Sequence, residues 1–473
     1  MSQESIFTTR TIKDIHEEIK SVYLGDNRPW IIGFSGGKDS TAVVQLVWNA
    51  ISELPPEQRQ KKIFVISSDT LVETPVIVNQ ITGTLEKIEK KAKEVGLLIS
   101  TNLVRPILED RFWVNLLGRG YPAPSSKFRW CTDRLKINNA DRFINEKVSQ
   151  YGEAIVVLGT RKSESMSRQQ LMNLYEIKGS LLSNHSKFPQ TYVYTPIKDF
   201  ITDDVWNYLL QNQSPWGNNN RDLVALYKSA QSGECPLVVD TSTPSCGNSR
   251  FGCWVCTVVE KDKSMENLID SGEEWMEPLL ELREILKETQ DPEIKKKVRE
   301  LKRRQGFISF KSDGSGSITR GPYTMEFCQD FLRKLLRTQL KIQKNGPEPN
   351  AELISQEELI EIQRIWRMER GDWKNSVHTI YEEETGSKLP ESQEDLGMFG
   401  QVEQELLHEV SIKHKIPSML VSKLLQVELE SQGMSRHSAV YGKINKIISE
   451  EWRDEKEILE EHQQREDEKV RYE

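Results

Sequence analysis

No stretch of this 473-residue chain is apolar for anything near the length of a membrane span. The polar start has no apolar core of the kind a secretion signal carries, so a cytoplasmic protein with no membrane association is expected. The seven histidines show neither H-E-x-x-H nor a paired spacing, which leaves no histidine metal site to propose. Cationic excess is missing too: 64 Lys and Arg against 72 Asp and Glu leave a net charge of −8. That balance argues against a free-standing nucleic-acid binder, because phosphate neutralisation needs clustered Lys and Arg. Cysteines number six, few for a disulfide scaffold. In a chain of this character they point to metal or sulfur chemistry.

What is present is a core-forming pattern, with 37% hydrophobic residues under a surface rich in charge. Ile12, Ile15, Ile19 and Val22 share one face of a helix over about 10–25. Strands are then predicted at Trp30–Phe34, Ile63–Ser67, Leu97–Leu103, Ala154–Leu158 and Tyr192–Thr195. Helices intervene up to about Ile51 and over Pro75–Val95, and another opens at Thr202. Such alternation specifies a parallel sheet covered by helices on both faces, with ligands at the carboxyl ends of the strands. From about Ala351 the pattern is helical, and the tail from Glu450 is strongly charged. Three segments are expected: a core at 1–230, a cysteine-bearing and basic region at 231–345, and a helical extension at 346–473.

The run WIIGFSGGKDST at Trp30–Thr41 carries an apolar strand into Ser35, Gly36, Gly37, Lys38, Asp39 and Ser40. Glycines let backbone approach an oxyanion, and the helix that follows adds N–H groups and a positive dipole end. The lysine follows the glycines directly, so this is not a Walker A loop. Two further stations fall after predicted strands: Asp69-Thr70, and Gly159-Thr160-Arg161 with Glu164. Arg161 offers a forked donor to phosphate or carboxylate, and Glu164 can orient it.

Cys131 sits among Lys127, Arg129, Arg134 and Lys136. With Thr132 or an earlier serine as helix cap, the thiol would lie near a helix N-terminus, and both effects favour the thiolate. The competing reading is a buried structural cysteine. Cys235, Cys246, Cys253 and Cys256 are separated by ten, six and two residues, among Pro236, Pro244, Gly247 and Gly252. Four thiolates so spaced can surround one metal centre; a [4Fe–4S] cluster is the first choice and zinc the second, since only one C-x-x-C is present. Cys328 shares a helical face with Met325, Leu332 and Leu335, which assigns it to packing.

SGGKDS at 35–40 resembles the PP-loop of ATP pyrophosphatases. With Asp69-Thr70, Glu73-Thr74-Pro75, RWCTDRLK at 129–136, GTRKSES at 159–165 and PIKDFITDDVW at 196–206, the chain resembles the phosphoadenylyl-sulfate reductase-like superfamily. The four-cysteine region and helical extension are similar to the DndC family, sulfurtransferase subunits of bacterial DNA phosphorothioation systems. The resemblance implies an α/β fold: a parallel-sheet adenine-nucleotide α-hydrolase (PP-loop) core, a cysteine-rich iron–sulfur region and a helical C-terminal extension. It implies ATP held with Mg²⁺ by Ser35, Gly36, Gly37, Lys38, Asp39, Ser40, Asp69, Gly159, Arg161 and Glu164. Asp39 and Arg161 would act in catalysis, and Cys131 would carry sulfur. A [4Fe–4S] cluster on Cys235, Cys246, Cys253 and Cys256 is implied too. The implied partners are DNA, a cysteine desulfurase (DndA or equivalent), DndD and DndE. The sulfate-reducing relatives carry a C-terminal catalytic cysteine, whereas this chain has none after Cys328. A tRNA thiolase, a sulfonucleotide reductase and a non-catalytic iron–sulfur scaffold are the competing readings.

The basic stretch Lys295–Arg304 reads either as a helix that tracks a phosphate backbone or as a solvated face. Given the acidic balance, the isolated protein is expected to bind duplex DNA weakly and with steep salt dependence. A titration of DNA binding against salt checks this; tight binding at physiological salt without partners would contradict it.

Overall fold

Trp30, Ile31, Ile32 and Gly33 are all buried, because β1 (Trp30–Gly33) lies inside a six-stranded sheet. The other strands are β2 (Ile63–Ser68), β3 (Ile99–Val104), β4 (Ala154–Val157), β5 (Leu182–Asn184) and β6 (Thr191–Tyr194), in the order β3-β2-β1-β4-β6-β5. All pairings are parallel except β5 with β6. Trp30 stands opposite Ile63 on one side and Ile155 on the other. The computed structural model describes residues 5–230, 252–311, 316–390, 399–431 and 438–472.

The five strands expected from sequence all form, with ends moved by one or two residues. The antiparallel edge strand β5 was not foreseen. Its sequence, Leu-Ser-Asn, has no apolar alternation, and it exists through pairing with β6.

Strand alternation sends Trp30 and Ile32 to one face and Ile31 to the other. The first face meets α1 (Ile12–Leu24), α2 (Lys38–Ser52), α3 (Pro75–Glu94) and residues of the later helix at Thr202–Gln211. Its core includes Ile15, Ile19, Val43, Val47, Ile81, Leu85 and Val205. The second face is covered through Phe143 and Ile144. These belong to a continuous helical run: α4 (Trp130–Thr132), a wide π turn at Asp133–Ile137, then α5 (Asn138–Tyr151). Next in chain order come α6 (Met166–Leu174), α7 (Thr202–Gln211) and α8 (Asn220–Ala230). α2 is buried along nearly its whole length, with α1 and α7 packed against it.

The chain divides into two compact units, one of Met1–Asp110 with Pro124–Leu280 and one of Arg111–Ala123 with Glu281–Glu473. The sheet belongs to the first. In the second, the short Arg111–Ala123 segment is held by indoles: Trp113 donates to the Leu353 carbonyl at 2.7 Å, and Trp366 to that of Leu117 at 2.8 Å. Cys328 is fully buried in the helix Met325–Asn345, where Arg370 Nη1 donates to its sulfur at 3.3 Å; its assignment to packing stands. The basic stretch is helical only to Val298. Beyond it Arg299 donates to the carbonyls of Gly321 and Arg320, Lys302 pairs with Glu450, and Arg304 with Glu369. The stretch that reads as helix-like over 295–304 is thus helical only in its first part, and several of its charges are engaged within the unit. No described helix is long and apolar enough to cross a membrane.

Glu89 ties α3 to β3. Its Oε2 accepts from the Thr101 N–H at 3.1 Å and hydroxyl at 2.7 Å, and Lys93 approaches the other oxygen. Led by the Lys93 and Thr101 hydrogen bonds, these partners lower its carboxyl from 4.5 to about 2. Because the folded value is depressed, the stabilisation is complete above pH 4.5 and is lost as pH falls through about 2. Glu89→Gln is therefore expected to lower the melting temperature at neutral pH, with the gap to wild type closing in acid. A gap that stays constant across that window would assign the loss to something other than the charge.

Candidate active site at the carboxyl edge of the sheet

β1 and β4 are neighbours whose following connections lead to opposite halves of the sheet, which makes their carboxyl ends the topological switch point. The glycine–serine turn expected after this strand forms there. Gly36 has φ +73°, a conformation that favours glycine, and a Cβ on it would stand 2.9 Å from Ile81 Cγ1. Gly37 is the N-cap of α2 and offers no side chain to the first turn. Two serines close the loop. Ser40 Oγ accepts from the Ser35 N–H at 3.2 Å and donates to the Gly37 carbonyl at 3.0 Å, while Gly37 N–H reaches Ser35 Oγ at 3.4 Å. Several of these bonds are long, and an anionic oxygen is a better acceptor for the same donors.

Asp39 fixes the first turn of α2 to the β4 loop. Its Oδ2 accepts from Lys38 Nζ at 2.7 Å and its Oδ1 from Arg161 Nε at 2.7 Å. Arg161, only 1% exposed, also donates to Ser163 Oγ at 2.9 Å and Thr202 Oγ1 at 3.4 Å. Its guanidinium thus orients Asp39 rather than lying open at the surface. Glu164 stands 3.8 Å from Arg161 and pairs closely with Arg168. Gly159 is where the loop meets the helix: a Cβ there would fall 2.9 Å from the Asp39 carbonyl carbon and 3.1 Å from Ser40 N. The sequence singled out Asp39, Gly159, Arg161 and Glu164 as site residues, but not Thr202 or Arg168.

Asp69, at the end of β2, is buried and caps a tight turn. It accepts from the Leu71 N–H at 2.9 Å and from Arg105 Nε at 2.9 Å. Leu71 sits at φ +63°, a strained place for a branched side chain, and the Asp69 bond helps hold it there.

The C-x-x-C segment docks on this same turn. Cys253 pairs antiparallel with Glu73, Trp254 N–H donates to the Val72 carbonyl at 3.0 Å, and Thr74 Oγ1 donates to Gly252 at 3.0 Å. Cys256 N–H closes onto the Cys253 carbonyl at 3.0 Å, with Trp254 and Val255 buried between the two cysteines. Cys253 Sγ lies 3.3 Å from Thr70 Oγ1. Enclosure pushes this thiol well above its usual range; Glu73 and Cys256 add to the rise, and Lys136 and Thr70 oppose it. Burial likewise raises the Glu73 carboxyl, countered by Lys136 Nζ at 3.6 Å. A thiol so enclosed ionises when a positive charge faces it, which a metal centre supplies, so these residues fit half of a thiolate site. Cys235 and Cys246 lie outside the described residues. Among the described residues no three His, Cys, Asp or Glu converge on a metal position.

Cys131 is half-buried in the first turn of α4. The helix-end position was expected, but the cap was not: the N-cap is Arg129, without a side-chain bond, and Thr132 lies inside the helix. The basic frame is also partly engaged, with Arg134 on Asp110 at 2.5 Å and Lys136 on Glu73. Sequence reasoning quoted Glu73 and Lys136 as motif members without seeing that they meet. It missed Tyr227, whose hydroxyl accepts from the Lys38 N–H at 3.1 Å across 189 residues of chain. No local signal marks Tyr227.

Gly159→Ala places a methyl against the backbone of Asp39 and Ser40, so the first turn of α2 must shift. Affinity for inorganic pyrophosphate is expected to fall about tenfold, about 1.4 kcal/mol, with the helical circular dichroism retained. Unchanged affinity would show that this turn does not form the anion site.

Residues 29–259 match the family described as phosphoadenosine phosphosulfate reductase domain. An uncharacterized protein of Methanocaldococcus jannaschii is 24% identical over 242 residues, 51% of this chain and 39% of that protein. The matched stretch thus spans about two fifths of that relative's length. The phosphoadenylyl-sulfate reductase of Candida auris, solved as a phosphate complex, aligns with 46% of this chain and 87% of its own at 14% identity and a TM-score of 0.29. A U34-tRNA thiolase of Methanococcus maripaludis, solved with its [4Fe–4S] cluster, aligns with 59% of this chain and 80% of its own at 15% identity and a TM-score of 0.28. SGGKDS, at the switch point of a mostly parallel sheet, lies within the stretch 29–259 that is similar to the phosphoadenosine phosphosulfate reductase domain family.

Proposed function

We propose that this protein is an ATP pyrophosphatase and sulfurtransferase that adenylates a DNA backbone phosphate and replaces a non-bridging oxygen with sulfur. The observation that carries the reading is the pairing of chemistries on one sheet edge. A glycine-serine anion cradle follows β1, and a C-x-x-C turn is docked on the loop that follows β2, the strand hydrogen-bonded to β1. A nucleotide site alone would suit many activities; the cysteine turn beside the next strand favours sulfur.

A non-bridging phosphodiester oxygen is a very poor leaving group. Attack of that oxygen on the α-phosphorus of ATP expels pyrophosphate and turns it into the bridging oxygen of an adenylate. Ser35, Gly36, Gly37, Lys38 and Ser40 receive the pyrophosphate side, where N–H groups and a helix end offset its growing charge. Asp69 and Gly159 border the nucleotide site. Arg161 acts through Asp39, keeping the carboxylate where it would meet Mg²⁺, and Glu164 steadies Arg161.

Cys131 carries the transferable sulfur as a persulfide. Its terminal sulfur attacks the activated phosphorus, AMP departs with the original oxygen, and two electrons from a thiol reductant cleave the remaining S–S bond. Cys253 and Cys256, with Cys235 and Cys246, would hold a [4Fe–4S] cluster. When bound, the cluster would either staple this segment or supply electrons or sulfide for releasing product. A cysteine desulfurase would load Cys131, and DndD and DndE would present DNA, consistent with the acidic balance of the chain.

The test is mass spectrometry of nuclease-digested DNA from the native host, from a strain lacking the gene and from one carrying Cys131→Ser. Phosphorothioate-linked dinucleotides are expected in the first and absent from the other two. Their persistence with Cys131→Ser would move the sulfur carrier elsewhere. Their absence from the intact host would overturn DNA as acceptor and direct the search to tRNA thionucleosides.

A further inference from the structure

Four of the first N–H groups of any α-helix have no intrahelical acceptor, and at α2 these are the donors that a bound phosphate would use. One already has a partner. The hydroxyl oxygen of Tyr227, on α8, accepts from the Lys38 N–H at 3.1 Å. It lies directly against the cradle backbone, since a Cβ on Gly37 would stand 2.9 Å from it. The space that the missing side chain leaves for an oxyanion is thus filled by a phenol oxygen. The Lys38 ammonium stands 5.6 Å from the centre of the same ring, so the ring also draws on the cation.

α8 is held firmly at its start. Asn220 Nδ2 donates to Gln45 Oε1 at 3.2 Å, to the Leu209 carbonyl at 2.8 Å and to that of Asn212 at 3.0 Å. Leu223, one turn on, is in the core. Tyr227, a further turn along, is only half-buried, so its side chain can leave the cradle without unseating the anchored end of the helix. Its other face meets Trp206 edge-on, with ring centroids 5.2 Å apart.

We propose that Tyr227 occupies the pyrophosphate subsite of the unliganded protein as a stand-in for a phosphate oxygen, and that nucleotide binding requires its hydroxyl to leave. The inference rests on the reading of residues 35–40 as the phosphate cradle. It assigns Tyr227 the role of a competitor that sets the affinity for nucleotide. A simple helix-capping or ligand-supporting role for the hydroxyl has the opposite consequence, since removing the hydroxyl would then weaken binding or leave it unchanged.

The measurement is calorimetric titration of the full chain with inorganic pyrophosphate and with ATP, each with Mg²⁺, for wild type and Tyr227→Phe. Phenylalanine keeps the ring packed on Trp206 and deletes only the competing oxygen. Binding of both probes is expected to tighten by about five- to tenfold, the usual worth of one neutral hydrogen bond. In wild type, saturating pyrophosphate is expected to change the tryptophan emission, and the change should be absent from Trp206→Phe. Equal or weaker binding by Tyr227→Phe, with pyrophosphate still binding wild type, overturns the Tyr227 proposal and leaves the cradle reading intact. An emission change in Trp206→Phe equal to that of wild type also overturns it, because Trp206 would then have reported no movement of Tyr227 among the eleven tryptophans. If neither protein binds pyrophosphate, the cradle reading fails and takes the proposal with it.

Discussion

The site depends on one carboxylate. Asp39 stands in the first turn of α2 between its neighbour Lys38 and the buried guanidinium of Arg161, 122 residues away in sequence. Each cation is almost fully enclosed, with 4% and 1% of its side chain exposed, so neither is solvated well enough to do without the carboxylate. The contact fixes the distance between the loops after β1 and β4, and the bare backbone of Gly159 permits the approach. Without this tie the serine–glycine turn would remain a turn, but it would have no fixed relation to the rest of the sheet edge.

A second constraint acts on β2. The turn at Asp69–Thr74 holds Leu71 in a left-handed conformation and presents Val72, Glu73 and Thr74 as a short backbone edge. The C-x-x-C segment pairs with that edge as a strand would, and so its cysteines are placed by main-chain hydrogen bonds rather than by their own side chains. Lys136 then reaches Glu73 from the π turn ahead of α5 and links the helical run that begins with Cys131 to the cysteine turn. The wide π turn re-aims this run; such turns are frequent where function needs a side chain off the regular helical track. Three sequence-distant stations therefore share one framework: Cys131, the post-β2 turn and the C-x-x-C pair.

The charge seen in the sequence is partly redistributed by folding. Two of the four cations around Cys131 pair with Asp110 and Glu73, and in the second unit Lys302 and Arg304 pair with Glu450 and Glu369. A run of like charges read along the chain overstates the field at the surface, because carboxylates far away in sequence come to meet it. The function proposed above accordingly leaves the presentation of DNA to partner proteins.

Local pattern along the chain is enough to set the strands and the motif-bearing loops between them. Period-two and period-3.6 burial are local properties, and a glycine-serine turn between a buried strand and an apolar helix needs no distant partner to form. Hence β1 to β4, β6 and the glycine–serine turn after β1 were legible, as was the packing role of Cys328. Whatever requires two stations to meet is settled by the packed fold. The edge strand β5 exists because β6 offers it a ladder, Arg161 faces Asp39 rather than solvent, and the C-x-x-C turn rests on Glu73. Tyr227 reaches Lys38 from 189 residues away in the chain for the same reason. None of these contacts leaves a period or a spacing in the chain, since each is set by how helices and loops stack on the completed sheet.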